Sequence, residues 1–209
     1  MNLKQTYDRI AEDWVQDHNQ DIWWVGGANR FIALLRPGDT ILDVGCGGGI
    51  KTNWLLHKGF KSVGIDFSDK MIKIAKRQYP QIPFYVHDIL KSLSFHEQFD
   101  GIFAQAVLLH ISKKNFPLVL ASLLGILKPG GYLYVAVKAQ RIGEVEEEIV
   151  AEDDYGYRYD RFFSYYTATE LHQHFLDAGL ELVDQFTTDS GQRSWIQIIG
   201  RKNTDEKDL

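Results

Sequence analysis

Apolar positions along the 209-residue chain fall into two periods. Over residues 3–18, Tyr7, Ile10, Ala11 and Trp14 recur at helical spacing, which predicts an amphipathic helix. Residues 27–36 predict a second helix, stopped by Pro37-Gly38. A strand–helix alternation then begins. Thr40–Val44, Ser62–Ile65, Ile82–Val86, Phe99–Ala104 and Tyr132–Val137 are short runs, β-branched or apolar, with the character of buried strands. Helices are expected between them over 51–58, from the Ser68 cap through Met71, Ile72, Ile74 and Ala75, and over 115–127. A sharp turn is expected at Lys128–Gly131. Thr167 with Glu170 forms a capping-box pattern for a last helix, closed at Gly179. Leu180–Phe186 and Ser194–Ile199 are expected as an antiparallel strand pair, followed by a polar tail expected to fray.

This alternation implies an α/β chain with a doubly wound, mostly parallel sheet. One segment departs from it. Residues 140–163 are rich in acids and tyrosines with weak periodicity, and are expected as an inserted lid or loop. The expected organisation is a single domain over 1–209, with an N-terminal helical cap over 1–36 and the insertion over 140–163.

Composition narrows the classes. Hydrophobic residues make up 44% and charged residues 24%, which argues for a globular chain and against disorder. No apolar run reaches the roughly 18 residues that a membrane helix requires, and the first residues lack a signal-peptide core, so a cytoplasmic protein without membrane attachment is expected. The net charge is −5 and no basic stripe stands out, so no nucleic-acid partner is expected. Cys46 is the single cysteine, which rules out an internal disulfide and a multi-cysteine metal site; no metal is expected.

The candidate chemistry concentrates at strand ends. Ile41–Gly49 (ILDVGCGGG) follows the first strand, where a doubly wound sheet binds ligands. A dinucleotide loop requires G-x-G-x-x-G/A. Counting from Gly45 puts Ile50 at the last position, and counting from Gly47 puts Thr52 there, so neither fits. Asp43 ahead of the loop suits a cationic ligand better than a pyrophosphate. Asp66, ending the second strand in VGIDFS, is placed to accept hydrogen bonds from ribose hydroxyls. Asp88, after the third strand, could accept from an adenine amino group, with the Ile89 N–H donating to the ring; a cap or a surface acid is the alternative. Met71 is either core or adenine wall.

Five segments in order, ILDVGCGGG, VGIDFS, HDI, FDGIFAQAVLLHI and LLGILKPGGYLYV, resemble the class I (Rossmann-like) S-adenosylmethionine-dependent methyltransferases. The resemblance covers roughly residues 38–200. It implies seven strands in the order 3-2-1-4-5-7-6 with the last antiparallel, and S-adenosyl-L-methionine as cofactor, leaving S-adenosyl-L-homocysteine. It implies that the loop backbone holds the methionine part, Asp66 the ribose and Asp88 the adenine. The full expected cofactor set is Asp43, Gly45, Cys46, Gly47, Gly49, Asp66, Phe67, Met71, Asp88, Ile89, Ala104 and Gln105. Ala104–His110 matches the family's loop beside the sulfonium, with His110 as the candidate to orient an acceptor or take its proton, or else a packed histidine.

There is no Asn/Asp-Pro-Pro-aromatic motif after the fourth strand, which argues against methylation of nucleic-acid base amines. Cys46 lies near a helix N-terminus that could lower its pKa, but it is read as a small loop residue. Tyr7 and Trp14 either cover the cofactor or dock their helix, with docking favoured for Trp14. Acceptor contacts are expected from Tyr7, His110, Tyr157, Arg158, Arg161, Phe163 and Trp195. The acidic runs 144–148 and 152–154 either attract a cationic acceptor or form a solvated face. The expected function is methyl transfer to a small-molecule acceptor, driven mainly by alignment and desolvation. An RNA or protein acceptor, and cofactor binding without turnover, are the alternatives.

Overall fold

The computed structural model describes residues 2–93, 95, 98–191 and 193–204. Of the polar tail 201–209 expected to fray, Arg201 and Lys202 instead pair in the last strand, and 205–209 lie outside the described residues. In chain order the elements are α1 (Leu3–His18), α2 (Val25–Ile32), β1 (Thr40–Val44), α3 (Ile50–His57), β2 (Lys61–Asp66), α4 (Asp69–Gln78), β3 (Phe84–Val86) and β4 (Phe99–Gln105). They continue with a short 3-10 turn (Leu108–His110), α5 (Phe116–Gly125), β5 (Leu127–Lys138), β6 (Glu147–Glu152), β7 (Tyr159–Ser164), α6 (Ala168–Asp177), β8 (Leu180–Ser190) and β9 (Arg193–Lys202).

Seven strands form one sheet in the order β3-β2-β1-β4-β5-β9-β8. Strands β3 to β5 are parallel neighbours, and β9 runs antiparallel to both β5 and β8. This is the Rossmann-like methyltransferase order expected for the seven sheet strands. Sheet polarity carries the consequence for function: the carboxyl ends of β1, β2, β4 and β5 share one edge, where ligands of open α/β sheets bind.

Why these residues give these layers follows from burial on both faces. Ile41, Phe103, Tyr134 and Ile199 face one side and pack under Trp24, the residue that precedes α2, under Ala28 and Phe31 of α2 and under Leu55 of α3. Leu42, Ile102, Leu133 and Ile198 face the other, against α5 and α6. A strand buried on both faces has few polar positions to spare, so β1 is apolar apart from the half-buried Thr40 at its start and Asp43. Caps set the helix starts: the Ser68 hydroxyl accepts from Met71 N–H at 3.1 Å, and Thr167 and Glu170 form the full capping box.

The insertion departs from expectation. Residues 140–163 contain a regular two-stranded antiparallel hairpin, β6–β7, with Glu148 opposite Phe163 and Val150 opposite Arg161. Charged side chains on the buried hairpin face are held by ion pairs, which hides the usual alternation of apolar and polar positions. Strand β5 begins at Leu127 rather than Tyr132, because Leu127 pairs with Phe99; the sharp turn expected at Lys128–Gly131 is instead an irregularity within the strand, where the register shifts. α1 lies across α4 and β7. Among the described residues, no helix is long and apolar enough to cross a membrane.

Phe103 is fully buried and stacks on Tyr134 with ring centres 4.7 Å apart. Phe103→Ala should cost about 3–5 kcal/mol of unfolding free energy. Urea denaturation measures it; a loss below about 1 kcal/mol would show that the sheet does not depend on this ring.

Candidate functional site

A cavity of about 570 Å³ opens at the carboxyl edge of the sheet. The strand ends supply its floor. Gly45 and Gly47 of the loop after β1 both have positive φ, +68° and +52°, conformations that glycine adopts without strain. A Cβ at Gly45 would lie 2.4 Å from Val107, so this glycine is also required by close approach.

Asp66 ends β2 and is buried. Its Oδ2 accepts from Gly47 N–H at 3.0 Å and its Oδ1 from Ser68 N–H at 2.8 Å. These two donors fix the carboxylate plane and leave each oxygen further lone pairs at the cavity wall. Burial pushes its pKa up to about 6, against the pull of the two N–H donors. Phe67 and Met71 continue the wall, and His87, Asp88 and Ile89 close the far end. Asp88 Oδ1 accepts from Leu90 N–H at 3.0 Å, an Asx turn that holds this loop.

On the other side of the loop, Asp43 is buried and lies within electrostatic reach of the half-buried Lys51. Asp43 does not reach the cavity wall; its Oδ2 accepts from the Thr52 hydroxyl at 2.6 Å. Burial raises it to about 7, partly countered by Thr52 and by the Lys51 charge. Lys51 does line the cavity, and burial lowers its pKa while Asp43 works in the opposite direction. After β4 the chain turns through Ala106, the one non-glycine with positive φ (56°) among the described residues. Such an alanine carries local strain of roughly 1–2 kcal/mol, stored where Gln105, Ala106 and Val107 border the cavity.

The roof comes from α1 and the hairpin. Tyr7 Oη lies 2.7 Å from His110 Nε2, and His110 Nδ1 lies 2.7 Å from the Phe162 carbonyl oxygen. A carbonyl only accepts, so Nδ1 carries the hydrogen. Burial, with Arg161 and Lys138 nearby, pushes His110 down to about 3, so the ring is neutral and Nε2 accepts the Tyr7 hydroxyl proton. Arg161 Nη1 reaches Tyr7 Oη at 3.5 Å and is itself paired with Glu152. α1 is further clamped by Asp8, which accepts from the Ser68 hydroxyl at 2.7 Å and from Lys70 N–H at 3.1 Å.

Of the residues expected at the cofactor, Gly45, Gly47, Asp66, Phe67, Met71, Asp88, Ile89 and Gln105 line the cavity. Asp43, Cys46, Gly49 and Ala104 stand behind it. Gly49 is the left-handed N-cap of α3, packed on Phe84. The Cys46 thiol packs with Phe84 and Ala75, and burial raises its pKa, with Asp66 and Asp43 adding to the effect. The lowering suggested by the helix N-terminus is therefore corrected.

Of the residues expected at the acceptor, Tyr7 and His110 line the cavity. Arg161 and Phe163 lie behind them, on the hairpin face turned to the protein. Tyr157 bonds Asp13, Arg158 is exposed beside Asp160, and Trp195 stacks on Trp23 at 4.3 Å; none of these three borders the cavity. Trp14, read as a docking residue, borders it instead: its ring is the nearest neighbour that a Cβ on Gly47 would meet, at 3.2 Å. Lys51 and Phe162 were missed. Lys51 sits at the start of the helix that the glycine loop opens, a signal available in sequence. Phe162 needed the strand assignment of β7, which its residues did not supply.

A family profile described as a methyltransferase domain matches residues 23–185. An uncharacterized methyltransferase of Synechocystis sp. is 34% identical over 114 residues, 51% of this chain and 53% of that protein. A demethylmenaquinone methyltransferase of Renibacterium salmoninarum is 33% identical over 136 residues, 62% of this chain and 56% of that protein. The matched stretch is thus little more than half the length of these relatives. Among solved structures, the 1,6-didemethyltoxoflavin-N1-methyltransferase of Burkholderia thailandensis, with bound 1,6-didemethyltoxoflavin and S-adenosylhomocysteine, superposes with a TM-score of 0.77. It is 19% identical, with 97% of this chain and 88% of that one covered.

The Asp43 carboxyl has a stability consequence. Its folded-state pKa of about 7 lies above the ordinary 3.8, so between those values the folded protein holds a proton that the unfolded chain has lost. Stability therefore falls as pH rises through this window, by at most about 1.4 kcal/mol per unit. Asp43→Asn stays neutral and lacks this loss. In urea denaturation of the ligand-free protein, the variant should gain roughly 2 kcal/mol on wild type between pH 5 and pH 8. A difference that does not change with pH would mean that Asp43 is ionised throughout.

Proposed function

The chain belongs to the methyltransferase domain family, and from that premise we propose that it transfers the methyl group of S-adenosyl-L-methionine to a small-molecule acceptor. The observation that carries this reading is the buried Asp66 carboxylate, oriented by Gly47 and Ser68 N–H groups and facing a cavity beside a left-handed glycine loop. The residues present fit the cofactor. Asp66 would hold the ribose hydroxyls, Asp88 and Ile89 the adenine, and Phe67 and Met71 the adenosine faces. Lys51 would meet the carboxylate of the methionine part, with Asp43 behind it toward the ammonium. When bound, the cofactor supplies an electrophilic methyl group on a positively charged sulfur with a neutral leaving group.

The chain's own task is then alignment, exclusion of water and removal of one proton. Tyr7 and His110 suit the last. An acceptor hydroxyl or amine beside Tyr7 can pass its proton to Tyr7 Oη while the Tyr7 proton moves to His110 Nε2. The Phe162 carbonyl holds the imidazole in the tautomer that makes Nε2 the acceptor. Trp14, Phe162 and Val107 supply apolar walls that keep water from the site.

In this reading residues 1–209 work as one domain in the cytoplasm, with the helical cap over 1–36 and the hairpin of 140–163 as its lid. A small acceptor accords with a roofed cavity and a net charge of −5. It also accords with the activity named for the menaquinone relative and with the small heterocycle held by the Burkholderia protein.

Calorimetric titration with S-adenosylmethionine, S-adenosylhomocysteine and NAD tests the cofactor. The two sulfur ligands should bind and NAD should not; binding of NAD alone would overturn the reading. Asp66→Ala should weaken S-adenosylhomocysteine binding by about 1.5–3 kcal/mol for each charge-assisted hydrogen bond lost, and an unchanged affinity would remove the ribose assignment. With an acceptor in hand, Tyr7→Phe and His110→Ala should each lower kcat by about a hundredfold. Loss confined to KM would leave the pair a binding role only.

A further inference from the structure

The hydrogen bond between Tyr7 and His110 can run in two directions, and the direction decides what the pair shows to an acceptor. His110 Nδ1 carries a hydrogen, fixed by the Phe162 carbonyl 2.7 Å away. While the ring is neutral, Nε2 only accepts, so the Tyr7 hydrogen points to it and the lone pairs of Tyr7 Oη are left for other donors. Were the ring to take a second proton, Nε2 would donate instead and the Tyr7 hydrogen would turn away from it. Only the first arrangement lets Tyr7 receive a proton from an acceptor.

Arg161 stands where this choice is made. It lies on β7 behind Tyr7, and neither it nor Glu152 borders the cavity. Its Nε and Nη2 hydrogens go to the two oxygens of Glu152, a fork that fixes the guanidinium plane. The third nitrogen, Nη1, lies 3.5 Å from Tyr7 Oη. A guanidinium only donates, so the Tyr7 hydrogen cannot point toward it. At that distance the bond itself is weak and the charge is the larger influence.

The other groups around the pair show how much rests on that charge. Burial is the largest cause of the low pKa of His110; the bond to Phe162 works against it, and Arg161 and then Lys138 add to it. Lys138 acts from the far side of the Phe163 ring, and the carboxylates that act on it are Glu152 and Glu144. Burial raises Tyr7, Arg161 is the largest influence opposing it, and Asp66 and Glu152 add to the rise. Among the described residues, no carboxylate bonds to His110, whose hydrogen-bond partners are Tyr7 and Phe162. An imidazolium here would thus meet two cations and no counter-ion.

We propose that Arg161, held by Glu152, is a positioning residue for proton removal: it fixes the direction of the Tyr7–His110 hydrogen bond, so that Tyr7 Oη meets the acceptor with a lone pair. Arg161 acts through Tyr7 and needs no contact with the acceptor. The inference rests on the methyl-transfer reading and deepens it. The charge weakens His110 as a base, but it keeps the pair from resting in the unproductive direction.

The test reads the imidazole directly and needs no acceptor. Protein labelled with ¹⁵N-histidine is followed by NMR from pH 8 to pH 5 with and without S-adenosylhomocysteine, and His110→Gln identifies the resonance. In wild type, Nε2 should stay unprotonated over this range. Arg161→Gln should raise the protonated fraction of His110 at pH 5 about tenfold or more, which is about one unit in its midpoint. Arg161→Lys keeps the charge and loses the fork, and should stay close to wild type. If Arg161→Gln does not fold, the double variant Arg161→Met, Glu152→Met removes the buried pair together, a change that proteins often tolerate; it should move His110 in the same direction. A wild-type His110 that titrates near the ordinary value of about 6.5 would overturn the proposal, a readout that needs no variant to fold. Equal protonation in wild type and the charge-removing variant would overturn it too. So would an equal rise in the Lys and Gln variants, which would mark Arg161 as a packing residue. Failure of wild type to bind S-adenosylhomocysteine would remove the methyl-transfer reading, and this proposal with it, whatever His110 does.

Discussion

The buried carboxylate of Asp66 is the interaction on which the rest of the site depends. Two backbone N–H groups, from Gly47 and Ser68, converge on it and join the glycine loop, the end of β2 and the start of α4. The chain of bonds continues outward: the Ser68 hydroxyl caps α4 through Met71 N–H and donates to Asp8, which seats α1. One anion thus organises both the floor of the cavity and the docking of the helix that roofs it. The same burial raises its pKa, and that of Asp43, so the ligand-free fold carries two carboxylates held against their preference. Groups held in this way are common where a protein is built to meet a polar ligand.

The roof is one cross-linked body. α1 contributes Tyr7 and Trp14 to the cavity and is tied to the hairpin by Thr6 to the Asp160 carbonyl, Arg9 to the Arg158 carbonyl and Tyr157 to Asp13. The hairpin reaches the loop after β4 through Phe162 and His110. Residues that do not touch the cavity therefore govern it. Arg161 positions Tyr7, and Phe163 packs on His110 while carrying the Lys138 charge.

Charge around the site falls in two groups. Asp43 and Lys51 lie at the glycine loop, whereas Lys138, Arg161 and Arg193 lie under the hairpin. The first group is balanced within itself, and the second holds an excess of one cation over its paired carboxylates.

The sequence by itself determined the sheet, most helix starts and most residues of the cavity floor. Those signals are local: a buried parallel strand is a continuous apolar run, a cap is a hydroxyl at a fixed offset, and Gly45, Gly47 and Asp66 occupy positions that the backbone itself dictates. Only the tertiary structure decided the roof. The hairpin was not legible because Arg161 and Glu152 share its buried face and obscure the alternation on which strand recognition relies. Tyr157, Arg158 and Trp195 have the side chains expected of acceptor contacts, yet point elsewhere. Phe162 carried no motif and was placed at the cavity by the fold, whereas Lys51 had a local signal in its position at the start of the helix after the glycine loop. Long-range pairing of side chains is set by packing between elements, and that information is absent from any short window of the chain.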